Sequence, residues 1–214
     1  PLSASSSNRK RSWSTHSPPG VWHNDLLAFG DTLVVAANRN SEPSSESFKF
    51  IAANKLASFN GVLAAITPRK VSYSTNLVNW HHSSCDLPHF ITGAALGQNG
   101  LLVIGQESAT SAPLVFFSPD QRNWFSFVNT PQNARFVTYH HGRYLLAGEA
   151  GLISTSPDGF SWTVPDESPY LELPNLTVSA SNGKTVVALG QSVLGPAAMG
   201  YYSTNPGNSQ PGRY

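Results

Sequence analysis

Asn99-Gly100, then Phe117-Ser118-Pro119-Asp120-Gln121-Arg122-Asn123-Trp124, is the stretch that decides how this chain folds, because both halves recur. Asn-Gly favours positive φ at both central residues of a two-residue turn and so closes an antiparallel hairpin. Equivalent pairs are Asn60-Gly61, His141-Gly142 and Asn182-Gly183, with Gly30-Asp31 as a looser copy. Thirteen to twenty residues after each of the four Gly residues comes a Ser-x-[Asp/Asn] turn. Its copies are Ser74-Thr75-Asn76, Ser118-Pro119-Asp120, Ser156-Pro157-Asp158 and Ser203-Thr204-Asn205. In the first three a Trp follows six residues after the Ser: Trp80, Trp124 and Trp162. Such fixed-period self-similarity means one small unit built about five times.

Each unit reads as short runs of Val, Leu, Ile, Phe and Tyr bounded by Gly, Asn, Pro and Ser, which is the pattern of strands. The third unit gives Phe90–Leu96, Leu101–Gly105, Leu114–Phe117 and Asn123–Val128. The second gives Lys55–Phe59, Val62–Ile66, Val71–Tyr73 and Asn79–His82, and the fourth gives Arg135–His140, Arg143–Gly148, Leu152–Thr155 and Ser161–Val164. The fifth has Leu176–Ser179, Thr185–Gly190 and Met199–Tyr202, with no Trp after Asn205. The first unit is degenerate: Trp22–Phe29 and Thr32–Ala37 are clear, Ser47–Ala52 is a candidate third strand, and 39–47 reads as a polar loop. No segment carries a sustained helical period with caps. The turn motif has a physical reading: the Asp or Asn side-chain oxygen accepts backbone N–H groups just downstream, the Ser hydroxyl adds a second bond, and Gly159 takes a left-handed conformation. The Trp then supplies apolar area between sheets.

Composition narrows the functional classes. At 214 residues the whole chain, 1–214, is expected to be one domain, with 1–10 as a polar, flexible tail. Charged residues are 12% and the formal net charge is +1, too balanced to argue for nucleic acid or an anionic membrane. The single Cys85 excludes an intramolecular disulfide and a Cys-based zinc site. No run reaches the roughly eighteen apolar residues of a membrane span, and the Ser-rich start has no signal-peptide pattern. The expectation is synthesis in the cytosol without export, with no membrane insertion. Arg11-Ser12-Trp13-Ser14-Thr15 matches Phe160-Ser161-Trp162-Thr163, so the N-terminal segment is expected to complete the last sheet. That would close a ring and remove two free edges. The alternative is a polar tail with a basic Arg9-Lys10-Arg11 cluster.

The motifs Tyr73-Ser74-x-Asn76-x3-Trp80, Phe117-Ser118-x-Asp120-x3-Trp124 and Ser156-x-Asp158-Gly159-x2-Trp162, with Tyr202-Ser203-x-Asn205 as a weaker copy, resemble the Asp-box, or BNR-like, repeat of sialidase-like β-propellers. The usual Asp-box has one more residue between the Asp and the aromatic. The Ser-x-Asp-Gly-x-x-Trp variant is similar to that of phage and bacterial propeller proteins. The resemblance implies an all-β propeller of about five blades, its last blade closed by the N-terminal strand. It also implies that the turns are structural and lie opposite the ligand face, so they argue fold rather than activity.

Three positions just after a second strand carry polar groups: Gly105-Gln106 with Glu107, Gly148-Glu149 and Gly190-Gln191. These would ring a central channel, either to bind sugar hydroxyls or an ion or simply to line a watery pore. Trp22 and Tyr170 are candidates for stacking on a pyranose face. Sialidase chemistry needs an arginine cluster, whereas Arg9, Arg11 and Arg213 sit in the terminal segments. A glycosidase needs two facing carboxylates. Mouth loops offer Glu42, Glu46, Asp86, Glu107, Glu149, Asp166 and Glu167, equally readable as solvated loop charges. Neighbours on a strand point to opposite faces, so His81-His82 and His140-His141 do not chelate one ion, and no metal or cofactor is expected. Asn175-Leu176-Thr177 matches a glycosylation acceptor, without other support. The expectation is a non-enzymatic interaction propeller: a virion protein of the phage tail, fibre or capsid-decoration kind. It would contact other virion proteins or a cell-surface glycan. The alternatives are a lectin-like carbohydrate binder, a glycoside hydrolase, and an assembly factor of the photosystem type.

Overall fold

The computed structural model describes residues 23–38, 48–108, 111–127, 133–149, 152–163, 175–181, 185–191 and 198–203. These form seventeen strands in five sheets, with no α-helix among the described residues. The first sheet holds β1 (His23–Phe29), β2 (Thr32–Ala37) and β3 (Phe48–Ala52). The second holds β4 (Lys55–Phe59), β5 (Val62–Thr67), β6 (Lys70–Ser74) and β7 (His81–Ser84). The third holds β8 (Phe90–Gly97), β9 (Gly100–Gln106), β10 (Leu114–Ser118) and β11 (Phe125–Phe127). The fourth holds β12 (Ala134–His140), β13 (Arg143–Gly148) and β14 (Ile153–Ser156), and the fifth β15 (Asn175–Ser181), β16 (Val186–Gln191) and β17 (Ala198–Ser203).

The second and third sheets are four-stranded antiparallel meanders in chain order. In both, the last strand begins just after the Trp, not before it as the sequence suggests. Residues 161–163 of the fourth sheet are not a strand, yet they supply fourth-strand rungs. Thr163 N donates to Thr155 O at 2.9 Å, and Ser154 Oγ donates to Thr163 O at 2.6 Å. The segment proposed to close the last sheet, around Trp13, lies outside the described residues.

The first sheet differs in a way the sequence does not announce: β3 pairs parallel to β2, Leu33 opposite Phe48 through Ala37 opposite Ala52. An even number of antiparallel strands returns the chain to the end where it entered. Three antiparallel strands would leave it at the wrong end. Running β3 in the direction of a fourth strand restores the path, and the chain turns at Ala53-Asn54 directly into β4.

The first strands of the sheets, β1, β4, β8, β12 and β15, are neighbours in that order. The first three gaps between sheets are filled with side chains from both sides. Val34, Ala36, Leu56 and Leu63 fill the first gap, Ile66, Val71, Ile91 and Leu101 the second, and Leu102, Ile104, Val137 and Tyr144 the third. Trp80, Trp124 and Trp162 join these three clusters in turn, each packed toward the preceding sheet.

Small residues let the first strands approach. A Cβ on Gly93 of β8 would sit 3.0 Å from the Cα of Phe136 on β12. Four of the five first strands also slip register near their starts, at 23/25, 91/93, 134/136 and 176/178. The residue left over is polar each time: Asn24, Thr92, Arg135 and Thr177. A bulge re-aims its side chain. Three of these side chains staple the structure: Asn24 Nδ2 to Ala53 O at 2.9 Å, Thr92 Oγ1 to Ile104 O at 3.4 Å, and Arg135 to Glu149.

Candidate functional site

The repeat turns show how the sequence motif works. In the second sheet Ser74 Oγ accepts from Leu77 N at 2.8 Å, and Asn76 Oδ1 accepts from Val78 N and Asn79 N at 3.0 and 2.9 Å. In the fourth sheet Ser156 Oγ accepts from Gly159 N at 2.8 Å, and Asp158 Oδ1 accepts from Phe160 N and Ser161 N, both at 2.8 Å. In the third, Asp120 Oδ1 accepts from Arg122 N and Asn123 N at 2.9 and 2.7 Å, while the buried Ser118 hydroxyl has no partner among the described residues. These bonds stabilise the anion. The backbone N–H of Asn123, then that of Arg122, holds the Asp120 carboxyl down at about 2. The Ser161 N–H, ahead of Phe160, does the same for Asp158, also about 2. Sequence reasoning missed one element of the turn. The residue three after the Ser is left-handed in all three copies: Leu77 at φ 60°, Gln121 at 65° and Gly159 at 83°. Only Gly159 advertises it. Of the fifth copy, Ser203 ends β17 and Asn205 lies outside the described residues.

The loop face, carrying the connections from second to third strands, was expected to hold the binding residues. Gln106 is buried, and its Nε2 donates to Ser111 O at 2.6 Å, so it ties down its own loop. Glu107 is exposed. Glu149 receives both Nε and an Nη of Arg135, and its backbone N donates to Asn133 O at 3.0 Å. Gln191 ends β16, opposite Asn175 and Ala198. Trp22 and Tyr170 lie outside the described residues. Nearby, the Cys85 thiol sits over the carbonyls of Thr67 and Pro68, and burial, with Asp86 adding to it, pushes its pKa up to about 11.

The opposite face carries the hairpin turns and the Ser-x-Asp turns, and here the structure brings together groups that the sequence offers only as separate turns. The turns after β1, β4 and β12 converge on a cavity of about 750 Å³. Phe29, Phe59 and Tyr139 contribute its rings. Tyr139 reaches it by lying across the third sheet: a Cβ on Gly97 would come 2.4 Å from its ring. Its ring packs edge-to-face with Phe59 at 5.0 Å and tilted against Tyr144 at 4.9 Å between centroids. Where the first two sheets carry Phe29 and Phe59, the third carries Gly97, and Tyr139 occupies the vacated room. Tyr144 Oη, fully buried, donates to Gly100 O at 2.7 Å and locks the fourth sheet to the third. The hairpin between β8 and β9 turns on Gln98-Asn99, with Gly100 already opposite Gly97 in β9, rather than on Asn99-Gly100 as the sequence suggests, and Asn99 Nδ2 donates to Pro157 O at 2.8 Å.

His140 and His141 also line this cavity. The pair is not split across two faces as strand geometry implies. His141 has left the strand at φ 46°, and its ring meets His140 edge-on at 4.3 Å. Burial, and then the neighbouring His141, lowers the His140 pKa, which keeps it neutral at neutral pH. His82 Nδ1 and Ser72 Oγ are 2.9 Å apart. Among the described residues no three His, Cys, Asp or Glu side chains converge as a metal ion requires.

No protein-family model matches this chain, and no curated protein matches it. Solved structures do. YCF48 bound to a D1 peptide matches with a TM-score of 0.56 and 12% identity, over 92% of this chain and 68% of that one. The computationally designed protein Ika8 matches with a TM-score of 0.55 and 8% identity, over 88% of this chain and 63% of that one. This chain thus spans about two thirds of the length of either. At such identities the likeness speaks to fold alone: the described sheets form an all-β assembly of the β-propeller kind.

Proposed function

We propose that the chain is a non-catalytic interaction propeller of Asp-box type, with five blades and an N-terminal closing strand. Its loop face docks a protein segment or a glycan. One observation carries the non-catalytic reading: among the described residues, the carboxylates of Asp25, Asp120, Asp158 and Glu149 are spent on the backbone or on a cation, while Glu42, Glu46, Asp166 and Glu167 lie outside the described residues. Asp120 and Asp158 cap turns. Asp25 Oδ2 accepts from Leu56 N at 2.9 Å, bridging the first and second sheets. Glu149 is paired with Arg135 at a bulge. A glycosidase instead needs two opposed carboxylates left free to hold a water or attack a sugar. The packed, described sheets suit docking, because a pre-organised scaffold has little ordering entropy left to lose on binding.

The setting we propose is a virion, as a tail, fibre or capsid-decoration protein, in keeping with the low charge and the Ser-, Asn- and Gly-rich turns. Mass spectrometry of purified particles from the native source tests this; particles lacking the chain refute it. The fold shared with YCF48, solved with a D1 peptide, supports a second reading in which the docked partner is an extended peptide. Affinity capture with cross-linking to the loop face distinguishes the two. Turnover on an oligosaccharide panel would refute the non-catalytic reading.

A further inference from the structure

The cavity among the hairpin turns lies on the face opposite the proposed docking loops, and its chemistry is distinctive. Phe29, Phe59 and Tyr139 give it flat apolar walls, while Ser58, Asn60, Thr75 and His141 give it exposed hydroxyl, amide and imidazole groups. Among the described residues lining it there is no Lys, Arg, Asp or Glu, and His140 is held neutral. Its roughly 750 Å³ falls within the range of small-ligand pockets. Three separate sheets contribute to it, so it exists only in the assembled fold. The Tyr139 ring is already immobilised by Phe59, Tyr144 and the bare surface of Gly97, so binding need not order it.

We propose that this cavity is a binding site for a neutral pyranose sugar. Such a ligand presents an apolar C–H face to an aromatic ring and a rim of hydroxyls to neutral donors and acceptors. The absence of charge among the described lining residues disfavours sialylated, sulfated or phosphorylated sugars, whose anions would lose their hydration without a cation to meet them. Asn60 and His141, both held at positive φ by their turns, present their side chains at the rim. The site stands independently of what the loop face docks.

The test is titration calorimetry with the methyl glycosides of galactose, glucose, mannose and N-acetylglucosamine, alongside a glycan array that includes anionic sugars. At least one neutral sugar is expected to bind saturably. Ser58→Trp, which fills the cavity from an exposed position, is expected to weaken binding at least tenfold, and His141→Ala about threefold or more. If Ser58→Trp shifts the unfolding midpoint, Thr75→Arg on its exposed turn serves as the blocking variant. No binding of any neutral sugar, binding of anionic sugars alone, or an affinity indifferent to both blocking variants overturns the proposal. Virion composition and hydrolytic assays on the unmodified chain read the proposed function separately.

Discussion

Gly159 and Gln121 occupy the same left-handed position in successive turns, and exchanging their chemistry should move stability in opposite directions. At Gly159, φ is 83° and an added Cβ would lie 2.8 Å from the Phe117 ring. An L-residue in this conformation costs about 1–2 kcal/mol. Phe117 is fully buried, with ring centroids of Phe160 and Tyr144 at 4.7 and 5.9 Å, so it has little room to yield. Overpacking of that kind costs about 1–3 kcal/mol. The less flexible unfolded chain returns about 0.4–1 kcal/mol. Gly159→Ala is therefore expected to destabilise by about 2–4 kcal/mol. At Gln121, φ is 65° and the side chain is half-buried beside an open turn. Gln121→Gly releases about 1–2 kcal/mol of strain and forfeits about 0.5–1 kcal/mol to backbone entropy, a net gain of about 0.5–1 kcal/mol. Urea unfolding with unchanged slope measures both. A Gly159→Ala cost below about 0.5 kcal/mol, or any clear loss from Gln121→Gly, would refute the shared left-handed role.

Four further expectations follow from particular contacts. Gly97→Ala should cost about 1–3 kcal/mol by pushing on the Tyr139 ring, and the cost should shrink in a Tyr139→Leu background, which a double-mutant cycle reads directly. Tyr144→Phe should cost about 1–3 kcal/mol in thermal or urea unfolding, because it strands the Gly100 carbonyl. Tyr73→Phe should be neutral or stabilising, since the buried Tyr73 hydroxyl has no partner among the described residues. Asp120 and Asp158 have folded-state pKa values near 2, below the ordinary carboxylate value. The stability they contribute is complete above about pH 4 and is lost as pH falls toward 2. Asp158→Asn should flatten that decline while keeping the turn, as Asn76 already does in the second sheet; an unchanged acid limb in Asp120→Asn/Asp158→Asn would count against the assignment.

The fold was legible because each unit is local. A two-residue turn and a side chain bonded two or three residues ahead leave their mark in short sequence windows, so strands such as Thr32–Ala37 and Arg143–Gly148 could be read to the residue. What stayed hidden depends on distant partners. The parallel β3 answers a need of chain direction that its own residues do not encode. The strain at Leu77 and Gln121 is imposed by the turn on residues that give no sign of tolerating it. Polar bulge residues such as Asn24 and Thr92 look like ordinary strand positions until the register slips beside them. The hairpin-face cavity was missed because Phe29, Phe59 and Tyr139 come from three units and meet only through the absence of a side chain at Gly97. The expected loop-face residues were legible as positions, but their partners were not: Gln106 is bonded to Ser111 of its own loop and Glu149 to Arg135.

The reversed strand of the first sheet carries a lesson about how such arrays can change. Growth or shrinkage within a unit is quantised, since removing one antiparallel strand would deliver the polypeptide to the far side of the molecule. A unit can lose a whole hairpin and keep its path, or it can hold three strands with the last one running the other way, as β3 runs beside β2. Engineers wishing to shorten a unit, or to graft a new segment into it, face the same arithmetic. Insertions that return to their own side should be accepted, while those ending one crossing short should scramble every unit downstream.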